Sequence, residues 1–227
     1  MTFSLVARCA ETGMFGLAIS SSSPAVAARC AYARAGVGAV ASQNVTDPLL
    51  GPLALDFMEN GMSAVEAIEA IEHVCQQGKF IEYRQVLVVD KAGKTAIYSG
   101  PNSLVIWTQA QGLDVASGGN MLANDRVPQA MVDSFLASSG HLGDRLISAM
   151  RAGLAAGGEA GPLHSAGILL VDSVAWPVAE LRCDWTDNCP IENIATAWEV
   201  YKPQLAAYVQ RAIDPRDAPS YGVPGDQ

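Results

Sequence analysis

Alternating apolar positions and short apolar runs predict the β-strands of this chain. Near its start, apolar runs at residues 3–9 and 15–20 flank the turn residues Glu11-Thr12-Gly13, which predicts a hairpin. Glycines interrupt such runs, so Gly118-Gly119-Asn120 is predicted to be a loop. Further runs of strand length predict strands at residues 36–43, 86–89, 95–98, 104–108, 165–172 and 178–184.

Apolar residues at helical spacing lie between these groups of strands. Ser63, followed three residues later by Glu66, is a capping box that predicts the start of a helix. The order of strands, helix pair, strands, helix pair and strands predicts an α+β fold, in which helix layers flank antiparallel sheets. It differs from the strict alternation of a doubly wound fold. The predicted helices are residues 49–60, 63–77, 126–137, 142–156 and 194–212.

The character of the sequence changes at residue 190, which predicts two parts. Residues 1–189 form the α+β domain, and residues 190–227 hold an added amphipathic helix and a polar tail rich in Pro and Gly. We expect this segment to pack on the domain or on a partner subunit. The aromatic residues of its helix predict a homodimer. They are Trp198, Tyr201 and Tyr208.

Charge and composition narrow the classes of function. The 227 residues carry a net charge of −9, so a nucleic-acid backbone or an anionic membrane surface would be repelled. Arg29 and Arg34 interrupt the most apolar stretch, residues 25–42, which excludes a membrane span there. The first residues lack the pattern of a secretory signal, and the five cysteines are scattered without a CxxC, so we expect a cytoplasmic protein with reduced thiols.

Short motifs give no support for a cofactor or a metal. Residues 36–41 match G-x-G-x-x-A, but they follow Arg34-Ala35 rather than a strand and open into a strand-like run, so we interpret them as a buried strand. Residues 183–189 bring thiols and carboxylates together without the histidine or CxxC of a zinc site. His164 precedes a strand, where loop side chains often reach a cleft, although a structural role is favoured.

The position of Thr2 gives the strongest chemical signal. A small second residue generally permits removal of Met1, and Thr2 would then become the first residue, directly before a strand. Its hydroxyl needs a base, and a free α-amino group has a pKa of about 7.7–8.0, closer to neutral pH than the roughly 10.4 of lysine. One residue would then supply both nucleophile and base.

Several short blocks occur along the chain in a fixed order: MTFSLVAR (1–8), Gly16, SSSSPAV (20–26), RAGVGAVASQ (34–43), Gly51-Pro52, GGNML (118–122), GGE (157–159), Ser165-Ala166 and LRCD (181–184). Over roughly residues 1–187, these blocks resemble the bacterial family DUF1028. The family is grouped with the N-terminal nucleophile (Ntn) hydrolases, so the resemblance implies a four-layer αββα sandwich and hydrolysis of an amide bond. The element order derived above agrees with that sandwich.

This resemblance also implies roles for particular residues. Thr2 matches the nucleophile, with its α-amino group as the base. As oxyanion donors or substrate-orienting groups we predict Gln43, Asn44 and Asn120. As substrate-binding residues we predict Arg8, Ser20, His164, Arg182 and Asp184, although structural ion pairs or polar strand ends would equally explain them.

Two alternatives to the leading hypothesis stay open. The leading hypothesis is an amidohydrolase acting on a small or peptide-like metabolite, but with Met1 retained the nitrogen of Thr2 is an amide and cannot act as a base. No lysine occurs before Lys79, so the lysine of proteasome-type members has no counterpart in the first strands. The alternative is therefore a non-catalytic Ntn-fold protein that binds a small ligand or a partner. Cell-wall association through residues 190–217 ranks last.

Overall fold

The computed structural model describes residues 1–75 and 80–221, so the predicted helix end at residue 77 lies outside the described residues. Its strands are β1 (Thr2–Arg8), β2 (Phe15–Ser21), β3 (Ala31–Arg34), β4 (Gly38–Asn44), β5 (Arg84–Asp90), β6 (Thr95–Ser99), β7 (Thr108–Gly112), β8 (Val115–Asn120), β9 (Ser165–Val171) and β10 (Ala179–Cys183). Its helices are α1 (Val26–Cys30), α2 (Leu50–Glu59), α3 (Ala64–Cys75), α4 (Val127–Ala137), α5 (Leu142–Ala155), α6 (Pro190–Tyr201) and α7 (Leu205–Ile213).

The strands form two antiparallel sheets that pack face to face. One sheet has the order β10-β9-β2-β1-β8-β7 and the other the order β3-β4-β5-β6. Branched and small side chains fill the space between the sheets, which removes the inner faces of both from water. The buried residues of this layer include Val6, Leu17, Ile19, Ala39, Leu87 and Val89.

Side chains of β1 alternate between the two faces of its sheet. Phe3 and Leu5 pack against the helices α4 and α5, whereas Val6 packs against the second sheet. By the same alternation Thr2 and Ser4 face the second sheet. On the outer face of that sheet lie α2 and α3, which bury their own apolar stripe. The layers are thus helices, sheet, sheet and helices, and the predicted αββα sandwich is confirmed.

The C-terminal helix is shorter than predicted. Pro203 has no N–H for helical hydrogen bonding and clashes with the preceding turn, so the predicted helix over residues 194–212 is broken into α6, a short 3₁₀ segment and α7. The α6 helix packs on α5 and β9. There Trp198 is buried and donates from Nε1 to Asp144 Oδ1 over 2.7 Å. Among the residues with described structure, no helix is long and apolar enough to span a membrane.

The loop predicted at Gly118-Gly119-Asn120 is wrong. These residues end β8, a buried strand that pairs with β1. Glycine allows neighbouring atoms to approach the backbone closely here, because a Cβ on Gly119 would lie 2.6 Å from Leu122 Cδ2 and 3.0 Å from the carbonyl oxygen of Thr2. The strand predicted at residues 104–108 lies instead at Thr108–Gly112, and β3 was not predicted.

Candidate functional site

Thr2 begins the central strand β1 and is hydrogen-bonded into strands on both sides. It lies opposite Ser21 on β2 and opposite Asn120 on β8. Directly paired residues of neighbouring strands project from the same face of a sheet, so these three side chains form a row that faces the second sheet. We call Thr2, Ser21 and Asn120 the Thr2 row. Thr2 itself is only 6% exposed. The sheet therefore gathers two hydroxyls and one amide at its end.

Hydroxyl groups surround the carbonyl oxygen of Met1. Thr2 Oγ1 donates to that oxygen over 2.6 Å, and Ser21 Oγ also donates to it. The two hydroxyl oxygens are 3.3 Å apart, and Ser21 Oγ lies 2.8 Å from Ser23 Oγ. The backbone N–H of Ser23 donates to Ser21 Oγ, which fixes the position of that hydroxyl. The carbonyl of the Met1–Thr2 amide bond is thus held by two hydroxyl donors.

A buried amide network joins the two sheets beside this row. Ser4 Oγ donates to Gln43 Oε1 over 2.7 Å, and Gln43 Nε2 donates to Gln85 Oε1 over 2.7 Å and to the carbonyl of Gly118 over 3.2 Å. Both N–H groups of Gln43 are therefore used. Asn120 Nδ2 reaches Gln85 Oε1 over a longer 3.5 Å. Among the described residues, this is the hydrogen bond that Asn120 Nδ2 donates, so one N–H group of Asn120 remains to donate to a ligand.

Glu159 adds a buried carboxyl group that the sequence did not single out. It is 6% exposed, and its Oε2 accepts from the backbone N–H of Ser22 over 3.0 Å. Within the described part of the chain, Oε1 has no hydrogen-bond partner. Burial raises the pKa of this carboxyl to about 7, although the positive charge of the amino terminus at Met1 lowers it. A group that changes charge near neutral pH thus borders the Thr2 row.

The position of Glu159 follows from a glycine turn. Gly157 and Gly158 have φ of 127° and 60°, a region open to glycine, and they turn the chain from α5 back toward the end of the sheet. There Glu159 forms an antiparallel bridge with Leu122, just beyond β8. One signal was available in the sequence: Glu159 is the only Asp, Glu, Lys or Arg between Arg151 and Asp172.

Three other predicted residues adjoin this site without pointing into it. Asn44 has φ of 73°, and its side chain is engaged with the carbonyl of Tyr83 and the N–H of Leu104. Ser20 faces away from the Thr2 row and donates to the carbonyl of Ser165 over 3.0 Å. The third such residue, His164, contacts Ser21 through its backbone.

His164 touches the site through its backbone. Its N–H donates to the carbonyl of Ser21 over 2.9 Å. Its ring stacks on Trp185 with centroids 4.2 Å apart, and Nδ1 lies 2.8 Å from the carbonyl oxygen of Thr186. Because that oxygen can only accept, Nδ1 carries the proton. The ring is therefore oriented by the segment that follows β10.

The predicted charged residues lie apart from Thr2. Arg8 is at the other end of β1, about 20 Å away along the strand, and pairs with Asp114 at 3.0 Å. Arg182 and Asp184 pair with each other at 2.8 Å on the exposed side of β10. That strand is three positions from β1 in the sheet, roughly 14 Å. Each of these charges thus has a partner of its own.

Side chains suited to holding a metal do not converge in this structure. Over residues 1–75 and 80–221 there is no group of three His, Cys, Asp or Glu side chains that could hold an ion. A separate cavity of about 300 Å³ lies where β3 approaches β9. Its guanidinium, Arg34, is paired with Asp56 and Glu59, so that cavity offers less unsatisfied polar capacity than the Thr2 row.

Comparisons with known proteins identify a family and a fold. The model of the family described as "Family of unknown function (DUF1028)" matches residues 2–194. Protein SPO2555 from Silicibacter pomeroyi, a DUF1028 crystal structure, is 27% identical with a TM-score of 0.84, over 92% of this chain and 90% of its own. Anbu, an ancestral beta-subunit from Yersinia bercovieri, is 10% identical with a TM-score of 0.41, over 92% and 97%. Among curated proteins nothing matches.

Proposed function

This chain belongs to the DUF1028 family, and we propose that it is an amidohydrolase in which Thr2 is an N-terminal nucleophile. One observation carries the proposal. Thr2 begins a central strand, and its hydroxyl lies in a buried row with Ser21 and Asn120, two groups able to donate hydrogen bonds. Buried polar groups are costly unless they are hydrogen-bonded, so a buried row with spare donors is typical of a site that receives a ligand.

The proposed reaction begins once Met1 is removed. The free amine of Thr2 accepts the proton of Oγ1, and Oγ1 attacks the carbonyl carbon of a substrate amide. The negative charge on the substrate oxygen is stabilised by the hydroxyl of Ser21 and the remaining N–H of Asn120. The ammonium of Thr2 then protonates the departing nitrogen. Water, activated by the same amine, hydrolyses the resulting ester and restores Thr2.

The predicted residues take unequal parts in this mechanism. Gln43 has both N–H groups engaged, so we assign it the positioning of Gln85 and, through that residue, of Asn120. Asn44, Ser20 and His164 stay predictions as residues at the margin of the site. The roles predicted for Arg8, Arg182 and Asp184 would require substrates that extend beyond the Thr2 row, and these also stay predictions.

Intact mass and a conservative substitution test the proposal. The protein, produced without a tag, is weighed and then assayed against a panel of small amides. We expect loss of one methionine, turnover of at least one amide, retention of activity in Thr2→Ser, and a fall of about 10³-fold or more in Thr2→Ala. Thr196→Ala, on the exposed side of α6, is the control. Activity in a protein that retains Met1, or activity in Thr2→Ala close to that of the parent protein, would exclude the mechanism.

The alternative function is a binding protein that retains Met1. The observation in its favour is that the carbonyl of Met1 already occupies the hydroxyl donors of Thr2 and Ser21. A mass that includes Met1, together with ligand binding unchanged in Thr2→Ala, would favour this alternative. The cytoplasmic location and the homodimer also stay predictions. Gel filtration at the monomer size would contradict the homodimer.

A further inference from the structure

Met1 shows what the Thr2 row can hold. Its carbonyl carbon is joined to the nitrogen of Thr2, and its oxygen accepts from Thr2 Oγ1 and Ser21 Oγ. Its side chain passes over Gly161, where a Cβ would lie 2.9 Å from Met1 Cε and 3.4 Å from Sδ. Met1 is therefore an aminoacyl group seated beside the proposed nucleophile.

A buried carboxyl group lies near the amino end of this aminoacyl group, two residues before Gly161 in the chain. The charge of the Met1 ammonium acts on Glu159, so the two groups lie within electrostatic reach of each other. Glu159 is 6% exposed and keeps Oε1 without a hydrogen-bond partner among the described residues. A buried carboxylate oxygen of this kind needs a cation or a donor, and the ammonium of an amino acid supplies both.

An acyl group bound to Thr2 Oγ1 would occupy nearly the space that Met1 leaves. The nitrogen and Oγ1 of one threonine are separated by two carbon atoms, so the acyl carbons attached to either atom lie close together. Removal of Met1 would thus leave a site with three features: the Ser21 hydroxyl as a donor for a carbonyl oxygen, a carboxyl for an ammonium, and a niche over Gly161 for an unbranched apolar side chain.

We propose that the substrates are amides of α-amino acids with a free amino group, and that Glu159 binds that group while Gly161 leaves room for the side chain. This inference rests on the proposed function of Thr2. The reaction releases the amino acid and an amine, and consumes one water molecule. A substrate with an acylated amino group would leave Glu159 unpaired, so it is expected to react more slowly.

The test compares two substrates that differ only at the amino group. A preparation that begins at Thr2 is assayed with L-methionine 4-nitroanilide and with its N-acetyl counterpart. We expect kcat/KM to be at least about 10-fold higher for the free amine, a difference of the size expected when one buried charge is paired or unpaired. In Glu159→Gln the ratio should fall to near one. The control, Glu69→Gln on the exposed face of α3, should keep the ratio.

The niche over Gly161 has its own test. Gly161→Ala adds a methyl group where the Met1 side chain passes, so it should lower kcat/KM for the methionine anilide relative to the alanine anilide. Circular dichroism and thermal unfolding confirm that each variant is folded. A ratio of one between free and acetylated substrates in the parent protein would overturn the inference, as would an unchanged ratio in Glu159→Gln.

Failure of catalysis is distinguished by a binding measurement. If the Thr2-first protein hydrolyses no anilide, the proposed function fails, and calorimetry then compares L-methioninamide with N-acetyl-L-methioninamide on the same protein. Preferential binding of the free amine, lost in Glu159→Gln, would support recognition of the ammonium without hydrolysis. Equal binding of the two amides, or binding of neither, would overturn the inference.

Discussion

The two ends of β1 handle polar groups in different ways. At the Arg8 end, the guanidinium pairs with the Asp114 carboxylate, and the backbone N–H of Arg8 donates to the backbone carbonyl of Asp114. At the Thr2 end, the side chains of the row are uncharged hydroxyls and an amide, and the neighbouring carboxyl of Glu159 has an oxygen without a partner in the described structure. Complete pairing is typical of structure, whereas unsatisfied buried capacity is typical of sites that receive a ligand.

The largest expected effect would break the hydrogen-bond network at the Thr2 end. Gln43→Leu nearly preserves volume, but it removes the partners of Ser4 Oγ, Gln85 Oε1 and the carbonyl of Gly118. We expect a loss of about 2–4 kcal/mol in the free energy of unfolding, because buried groups left unpaired keep their desolvation cost. Urea unfolding measures it. Gln129→Leu, on the exposed face of α4, is the control, and a loss below about 1 kcal/mol for Gln43→Leu would contradict the prediction.

The second effect is a dependence of the free energy of unfolding on pH, caused by the carboxyl of Glu159. Its pKa is raised by burial to about 7, so the folded protein binds this proton more tightly than the unfolded chain does. The contribution to stability is therefore full below the ordinary carboxyl pKa, near 4.3, and is lost as pH rises through about 7. The loss amounts to at most about 3–4 kcal/mol.

Urea unfolding at pH 5, 6 and 7 measures this loss for the parent protein and for Glu159→Gln. The glutamine cannot titrate, so the difference in stability between the two proteins should change steadily across that range. The other charged group that acts on this carboxyl is the amino terminus at Met1. Parallel pH profiles for the two proteins would show that Glu159 does not titrate there.

The smallest effect would sharpen the contrast at the Arg8 end. The side chains of Arg8 and Asp114 are 21% and 11% exposed, so their ion pair is partly screened by water. A double-mutant cycle with Arg8→Gln and Asp114→Asn should give a coupling energy of about 1 kcal/mol. Hydrolysis of a small amide should not change. A weaker substrate affinity in Arg8→Gln would instead support the substrate-binding role predicted from the sequence.

Elements with clear hydrophobic periodicity were predictable, and elements built from small residues were not. The alternation in β1 and the apolar stripes of α2 to α5 predicted the order of strands and helix pairs, and the family resemblance implied the four αββα layers. The glycines of β8 indicated a loop, because glycine is common where strands end; here Gly119 is required by the approach of Leu122 and the backbone of Thr2. Similarly, the alanines of β3 are no stronger a signal for a strand than for a helix.

The candidate site was predicted in part. Thr2, Gln43 and Asn120 lie together in the structure. Thr2 was predicted from its position in the chain, and Gln43 and Asn120 were predicted from blocks that resemble the family. Ser21 was passed over, since its importance depends on pairing opposite Thr2. Glu159 lies in one of the blocks that resemble the family, but its place in the site depends on a turn that buries it beside Ser22, 137 residues away in sequence. Contacts of that range leave no local pattern.

The pairing of β1 on both sides from Thr2 onward bears on how such a protein would be activated. Strand partners begin at Thr2, and Met1 contributes only its seated carbonyl and side chain. Under the proposed mechanism the peptide bond between Met1 and Thr2 must be cleaved, and a chain that still carries Met1 is a zymogen. Its maturation would expose the amine within a strand that is already fixed, so activation would require a single peptide-bond cleavage and no refolding.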